Sequence, residues 1–163
     1  MTRAAESRSY RPVILWFSAL LLLSLAGFLP SAKAADFDLA QFKGKVVYLD
    51  FWASWCAPCR LSFPWMQNLA TQFGAQGLVV VAANVDHDRT LADAFLRQTR
   101  PSFPIVFDPA GALAAAYRVK AMPTTVIIGR DGKVLFTHDG FFEGQKDQYL
   151  ADIKAALNEG PFR

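Results

Sequence analysis

The sequence predicts an α/β fold: a central mixed β-sheet, parallel strands plus a C-terminal antiparallel hairpin, flanked by helices on both faces. Three observations predict it. Apolar runs of strand length alternate with stretches of helical spacing from residue 45 onward. Asp131-Gly132 lies between two late β-rich runs and reads as a hairpin turn. No internal repeat, low-complexity tract or interdomain linker interrupts residues 35–163, so one domain is expected there. Strands joined through helices should run parallel, and the hairpin should not.

The elements follow in order. Residues 45–52, Lys-Val-Val-Tyr-Leu-Asp-Phe-Trp, are apolar on both faces, as in a central strand covered on both sides. A helix is predicted over 57–73, with Gly74 and Gly77 as stop signals. Residues 78–83 form a second near-continuous apolar strand. Residues 89–99 have helical spacing, with Leu91, Ala94 and Phe95 on related faces. Residues 103–107 are a third strand, closed by the turn Asp108-Pro109-Ala110-Gly111. A short helix over 113–117 precedes strands 124–128 and 133–138, and an amphipathic helix over 145–157 closes the chain.

The first residues stand apart. Arg3, Arg8 and Arg11 precede 17 uncharged residues from Val13 to Leu29, and Ala32-Lys33-Ala34 supplies a small-residue cleavage pattern. This predicts a signal peptide over 1–34, cut after Ala34. The other reading is an uncleaved N-terminal membrane anchor, since the run is at the short edge of the roughly 20 residues that span a bilayer. Either way the domain over 35–163 is expected to be periplasmic or otherwise extracytoplasmic, and membrane-anchored if the signal is kept. The chain is 53% apolar and 19% charged, which suits a packed core and excludes wholesale disorder. Its charge of +3 comes from the leader: four of 17 basic residues and one of 14 acids lie in 1–34, leaving thirteen of each beyond it. That gives no basis for nucleic-acid binding.

Chemistry rests on two cysteines, Cys56 and Cys59, in Trp-Cys-Ala-Pro-Cys. So close a pair is a poor structural staple. A zinc site normally takes four ligands, and only His87 and His138 remain to complete one, so no metal is expected. The pair sits where the first predicted strand gives way to the first helix. Free N–H groups and the positive end of the helix dipole stabilise a thiolate there, and the thiolate is the reactive form. Pro58 suits a first helical turn because it lacks an N–H. Cys56 is expected to be the exposed attacking nucleophile, and Cys59 the buried resolving thiol. Asp50 is a lone acid in an apolar strand. Burial would raise its pKa and make it a proton acceptor for Cys59; the other reading is a strand-end acid that reaches solvent.

Asp-Phe-Trp-Ala-Ser-Trp-Cys-Ala-Pro-Cys at 50–59 resembles the thioredoxin superfamily. Gly-Lys-Val-Val at 44–47, Phe-Pro at 63–64, Asn-Val-Asp at 84–86, Phe-Pro-Ile-Val-Phe-Asp at 103–108, Met-Pro-Thr-Thr at 122–125 and Arg-Asp-Gly-Lys-Val at 130–134 resemble its exported TlpA/ResA/CcmG-like branch. The resemblance implies a thioredoxin fold and a thiol–disulfide oxidoreductase. It implies a cis Pro123 facing the disulfide, with Met122, Pro123 and Thr124 docking a substrate chain beside Cys56. Trp55, Ala57 and Pro58 would complete the docking surface. Trp52 is read as core or site wall, Trp65 as helix packing, Phe141 and Phe142 as core or edge, and His87 and His138 as surface or hairpin residues. The branch often carries Glu three residues after the second cysteine, where this chain has Ser62. The N-terminal strand pair usual in the branch has little room between Ala35 and Gly44.

The reaction expected is reduction of disulfides in exported partner proteins by two-step exchange, with no cofactor beyond the Cys56–Cys59 disulfide. Ala57 and Pro58 are uncharged, which points to a reductant rather than a strong oxidant. The resemblance implies a membrane electron donor of CcdA/DsbD type. It also implies targets such as apocytochrome c in cytochrome c maturation, or copper-centre assembly proteins. A monomer is expected. Two rival classes use the same residues: a copper-binding metallochaperone-like protein, since a thiolate pair suits Cu(I), and a thiol peroxidase. Copper titration of the reduced protein and a peroxide-consumption assay separate them.

Overall fold

The computed structural model describes residues 38–159. The leader or anchor expected over 1–34, with its cut after Ala34, lies outside the described residues. Among the described residues no helix is long and apolar enough to cross a membrane.

Strand β1, Val46–Trp52, is buried at every position, and both faces of the sheet close over it. It stands at the centre of five strands, with β2 (Leu78–Asn84), β3 (Ile105–Phe107), β4 (Thr124–Ile128) and β5 (Val134–Asp139) in the order β3-β2-β1-β4-β5. β1 and β2 are parallel, as are β2 and β3. β4 runs antiparallel to both β1 and β5. The mixed sheet is therefore as the sequence predicts. Four helices complete the described domain: α1 (Ala57–Phe73), α2 (Arg89–Thr99), α3 (Ala112–Ala116) and α4 (Lys146–Asn158).

Alternation along β1 divides the interior in two. Val46, Tyr48 and Trp52 face a core built with Cys59, Phe63 and Met66 of α1, Phe95 of α2 and Ile153 of α4. Val47, Leu49 and Phe51 face a second core with Val81 and Val126, lined also by Leu113 and Tyr117. Trp52 anchors the first core, its ring 4.8 Å from Phe63 and 4.7 Å from Phe95 between centroids.

Helix limits follow local signals. After α1 the chain turns through Gly74–Gln76 and stops at Gly77, whose φ of +98° favours glycine. The hairpin turns at Gly132, φ +83°, with the Asp131 carboxylate accepting from Lys133 N at 3.0 Å.

Four differences from expectation have physical causes. β3 begins at Ile105, not 103: Pro104 has no N–H to give the ladder, and Phe103 turns into the first core. Gly111, at φ +69°, starts α3 one residue early. A 3-10 turn at Glu143–Gln145 delays α4 to Lys146. His138 is a hairpin residue as read, on β5, but it is not on the surface: it is partly buried, edge-on to Tyr149 at 4.9 Å, with Nε2 3.2 Å from Asp152 Oδ2. Burial lowers its pKa, and the Asp152 charge opposes this. Ahead of β1, residues 39–42 form a 3-10 turn capped by Asp38 rather than a strand.

Candidate active site

β1 ends at Trp52, and the chain turns at once into α1. Cys56 N donates to Ala53 O at 3.1 Å, and Cys56 becomes the helix N-cap, its Sγ accepting from Cys59 N at 3.2 Å. Cys56 and Cys59 are joined as a disulfide. Pro58 occupies the first turn, where its missing N–H is no loss. A buried carboxylate fixes the turn from the side. Asp86, at the end of β2, accepts from Ser54 N at 2.9 Å, Ser54 Oγ at 3.0 Å and Asn84 Nδ2 at 2.8 Å. Arg60 reaches back to donate to Ser54 O at 3.3 Å.

Exposure corrects one expectation. Cys56 is 3% exposed and Cys59 is fully buried, so in the disulfide form neither sulfur stands open to solvent. The Cys56 sulfur lies on the helix cap, where it accepts from Cys59 N. What surrounds it is exposed: Trp55 at 71%, with Ala57 and Pro58.

The second wall comes from the loop entering β4. The Met122–Pro123 peptide bond is cis. Thr124 pairs with Phe51, which brings this loop beside the end of β1. Gly140 N donates to Pro123 O at 2.7 Å, so the loop is tied to β5 as well. Met122 and Trp55 share a groove of about 340 Å³ with His87, Pro109 and Lys120. Thr124 does not open onto it. Its side chain is buried, and its hydroxyl bonds Ala121 O at 2.8 Å and Asp139 Oδ1 at 3.1 Å. Pro123 is buried too, so of the three loop residues Met122 alone lines the groove.

Asp50 lies in mid-strand, fully buried, and does not reach solvent. It shares the alternation of Tyr48 and Trp52, hence the side of the sheet that carries Cys59. Its Oδ1 accepts from Thr125 Oγ1 at 2.7 Å, while Oδ2 is buried without a partner. Burial raises its pKa to about 7, and the Thr125 hydrogen bond opposes the rise. Tyr48 OH stands 3.3 Å from the same Thr125 hydroxyl. Burial, and then the Asp50 charge, push the Tyr48 phenol far above its ordinary range. Ser62, where the sequence departs from the resembled branch, is fully buried, and its hydroxyl donates to Cys59 O at 3.1 Å.

Thr125, Tyr48, Ser54 and Asp86 are site neighbours that sequence reasoning left unassigned. For Tyr48 and Thr125 the available signal was a polar residue inside an apolar strand, while Ser54 and Asp86 lie just past the ends of β1 and β2. Their partners lie 75 and 32 residues away, at distances only strand register supplies.

The Redoxin family pattern matches residues 23–157. The thiol-disulfide oxidoreductase ResA of Bacillus subtilis (strain 168) is 39% identical over 124 residues, 76% of this chain and 69% of that relative. A Chlorobium tepidum crystal structure, described as a candidate thiol:disulfide interchange protein DsbE, is 48% identical with a TM-score of 0.72, covering 74% of this chain and 85% of its own. The exposed lipoprotein thioredoxin of Streptococcus pneumoniae is 33% identical with a TM-score of 0.64, covering 72% and 89%.

Proposed function

The chain belongs to the Redoxin family, and from that premise we propose that Cys56 and Cys59 form the exchanging pair of a reductase for exported proteins. That the chain is a thiol–disulfide oxidoreductase acting on disulfide-containing proteins follows from its relatives. The assignment of roles rests on one observation: the Cys56 sulfur is itself the N-cap of α1 and takes the Cys59 N–H. The helix end stabilises negative charge on that sulfur and so favours the thiolate.

In the reduced enzyme the Cys56 thiolate attacks one sulfur of a partner disulfide. The partner S–S bond breaks, one partner thiolate leaves, and a mixed disulfide forms. Asp50 takes the proton of Cys59, and the Cys59 thiolate attacks the Cys56 sulfur. The second partner thiolate is released, and the enzyme disulfide closes. Two electrons pass to the partner and two must be returned. A membrane donor of CcdA/DsbD type would return them, as a chain exported by residues 1–34 requires. No cofactor beyond the disulfide enters. Trp55, Ala57, Pro58 and Met122 receive the partner chain, while Pro123 and Thr124 set the loop from within. Uncharged Ala57 and Pro58 support the reducing direction. Apocytochrome c or copper-centre assembly proteins are the partner classes, and the working unit is a monomer.

Trapping tests the roles. Cys59→Ser in the producing cell should hold partner proteins on Cys56 through bonds that dithiothreitol releases. Cys56→Ser/Cys59→Ser should hold none. A folded Cys59→Ser protein with a free Cys56 thiol and no trapped partner would overturn the assignment.

A further inference from the structure

We propose that Thr125 is the positioning residue of the resolving step: its hydroxyl pins Asp50 Oδ1 and leaves Oδ2 as the oxygen that receives the Cys59 proton. The inference rests on Asp50 being the proton acceptor.

Sheet register builds the arrangement. Asp50 on β1 stands opposite Thr125 on β4, and Thr125 stands opposite His138 on β5. Residues paired across strands point to the same face, so the three side chains form one row beneath the α1 side of the sheet. An ionised carboxylate only accepts hydrogen bonds, and a threonine hydroxyl has one proton to give. At 2.7 Å that proton goes to Asp50 Oδ1. Tyr48 OH, 3.3 Å from Thr125 Oγ1, must then be the donor in the second contact. The chain of donors runs one way, from Tyr48 to Thr125 to Asp50.

The carboxyl is thereby made asymmetric. Oδ1 is occupied, and a proton arriving there would compete with that of Thr125. Oδ2 is equally buried and has no partner. A buried unpaired acceptor is costly, and a proton at Oδ2 relieves the cost without disturbing the donor chain. Other groups on this side leave that role to Thr125. Across β2 stands Ala82, which has no polar side chain. α1 brings the cysteine pair and Ser62, whose hydroxyl is spent on Cys59 O. On α4, Asp152 accepts from Gln148 with His138 Nε2 3.2 Å away, and Tyr149 bonds Gln145, while the indole nitrogens of Trp52 and Trp65 in this core are buried without a hydrogen-bond partner and so do not hold Asp50. Among the described residues Thr125 is the hydrogen-bond partner Asp50 has. Thr124, one residue away, is a different device, because its hydroxyl serves the loop.

The test follows the Asp50 side-chain carboxyl by 13C NMR against pH in the disulfide form, beside the pH profile of mixed-disulfide resolution. Thr125→Val keeps the shape and removes the donor that favours the charged form. Both inflections should rise by about one to two pH units, the worth of a hydrogen bond to a charged group. Resolution at pH 7 should slow about five-fold or more as the base becomes protonated. Thr125→Ser should return both toward the parent. A folded Thr125→Val protein with inflections at the parental pH overturns the inference, and Thr125→Ala serves equally if valine fails to fold. Asp50→Asn should abolish the rate inflection. If it persists there, the Asp50 acceptor itself is wrong, an outcome distinct from a Thr125→Val profile that merely fails to move.

Discussion

Asp50 is fully buried in the central strand, and its carboxyl titrates near 7 against an ordinary 3.8. Burial penalises the charged form, and one hydrogen bond from Thr125 offsets only part of that. The same placement that suits proton transfer weakens the fold. In the unfolded chain the group loses its proton near 3.8; in the folded chain it keeps it to about 7. Between these values the native state binds more protons, so its stability falls as pH rises. The contribution is fully present below about pH 4 and is lost by about pH 7, in all about 4 kcal/mol. Asp50→Asn removes the titration while keeping the shape. Urea denaturation at pH 4.5 and pH 8 should show a smaller loss between the two for Asp50→Asn than for the parent. The variant should be the more stable protein at pH 8. Equal losses in both proteins would show that this carboxyl does not titrate as a buried group.

The start of α1 depends on an element far from it in sequence. Asp86 closes β2 and takes three hydrogen bonds, two of them from Ser54 in the turn ahead of Cys56. Asp86→Ala would leave the Ser54 and Asn84 donors without their acceptor in a largely buried corner. A destabilisation of about 2–4 kcal/mol in urea denaturation is expected, with slower exchange because the Trp55–Cys56 turn loses its anchor. A change under about 0.5 kcal/mol would mean that water replaces the carboxylate at no loss. Pro58→His probes the other side of the same turn. An imidazolium beside the Cys56 thiolate favours the reduced form, so the potential measured against glutathione should become less negative, by about 30 mV for each 1.4 kcal/mol of that preference. The limits of α1 were legible because they are local: a proline fits the first turn, and glycines end the helix. The anchor was not, because Ser54 and Asp86 are 32 residues apart and meet only through the pairing of β1 with β2.

Across the described domain the sheet separates two interiors, and the cysteine pair sits on one side of it. Val46, Tyr48 and Trp52 face the cysteine side with Asp50 among them, while Val47, Leu49 and Phe51 face the other. The order of strands and helices was legible from apolar runs and from Asp131-Gly132, because burial on both faces and turn chemistry are written locally. The cysteine pair was legible as a motif. Which side chains meet Asp50 was not, because Thr125 reaches it only after β4 pairs with β1 in a particular register. His138 is the hairpin residue the sequence suggests, but its partial burial against Tyr149 and Asp152 of α4 was not legible. The division makes its own prediction. Leu49 is fully buried next to Asp50 in the chain but packs on the opposite side. Leu49→Ala removes core packing and should cost about 2–5 kcal/mol in denaturation. Because the sheet lies between that cavity and the Asp50–Thr125 contact, the pH inflection of mixed-disulfide resolution should stay within about 0.3 units of the parent, a difference worth about 0.4 kcal/mol. An inflection that moved with the stability loss would show that the two interiors act as one, and that the proton site is tuned by packing throughout the fold rather than by the row of polar groups on its own face.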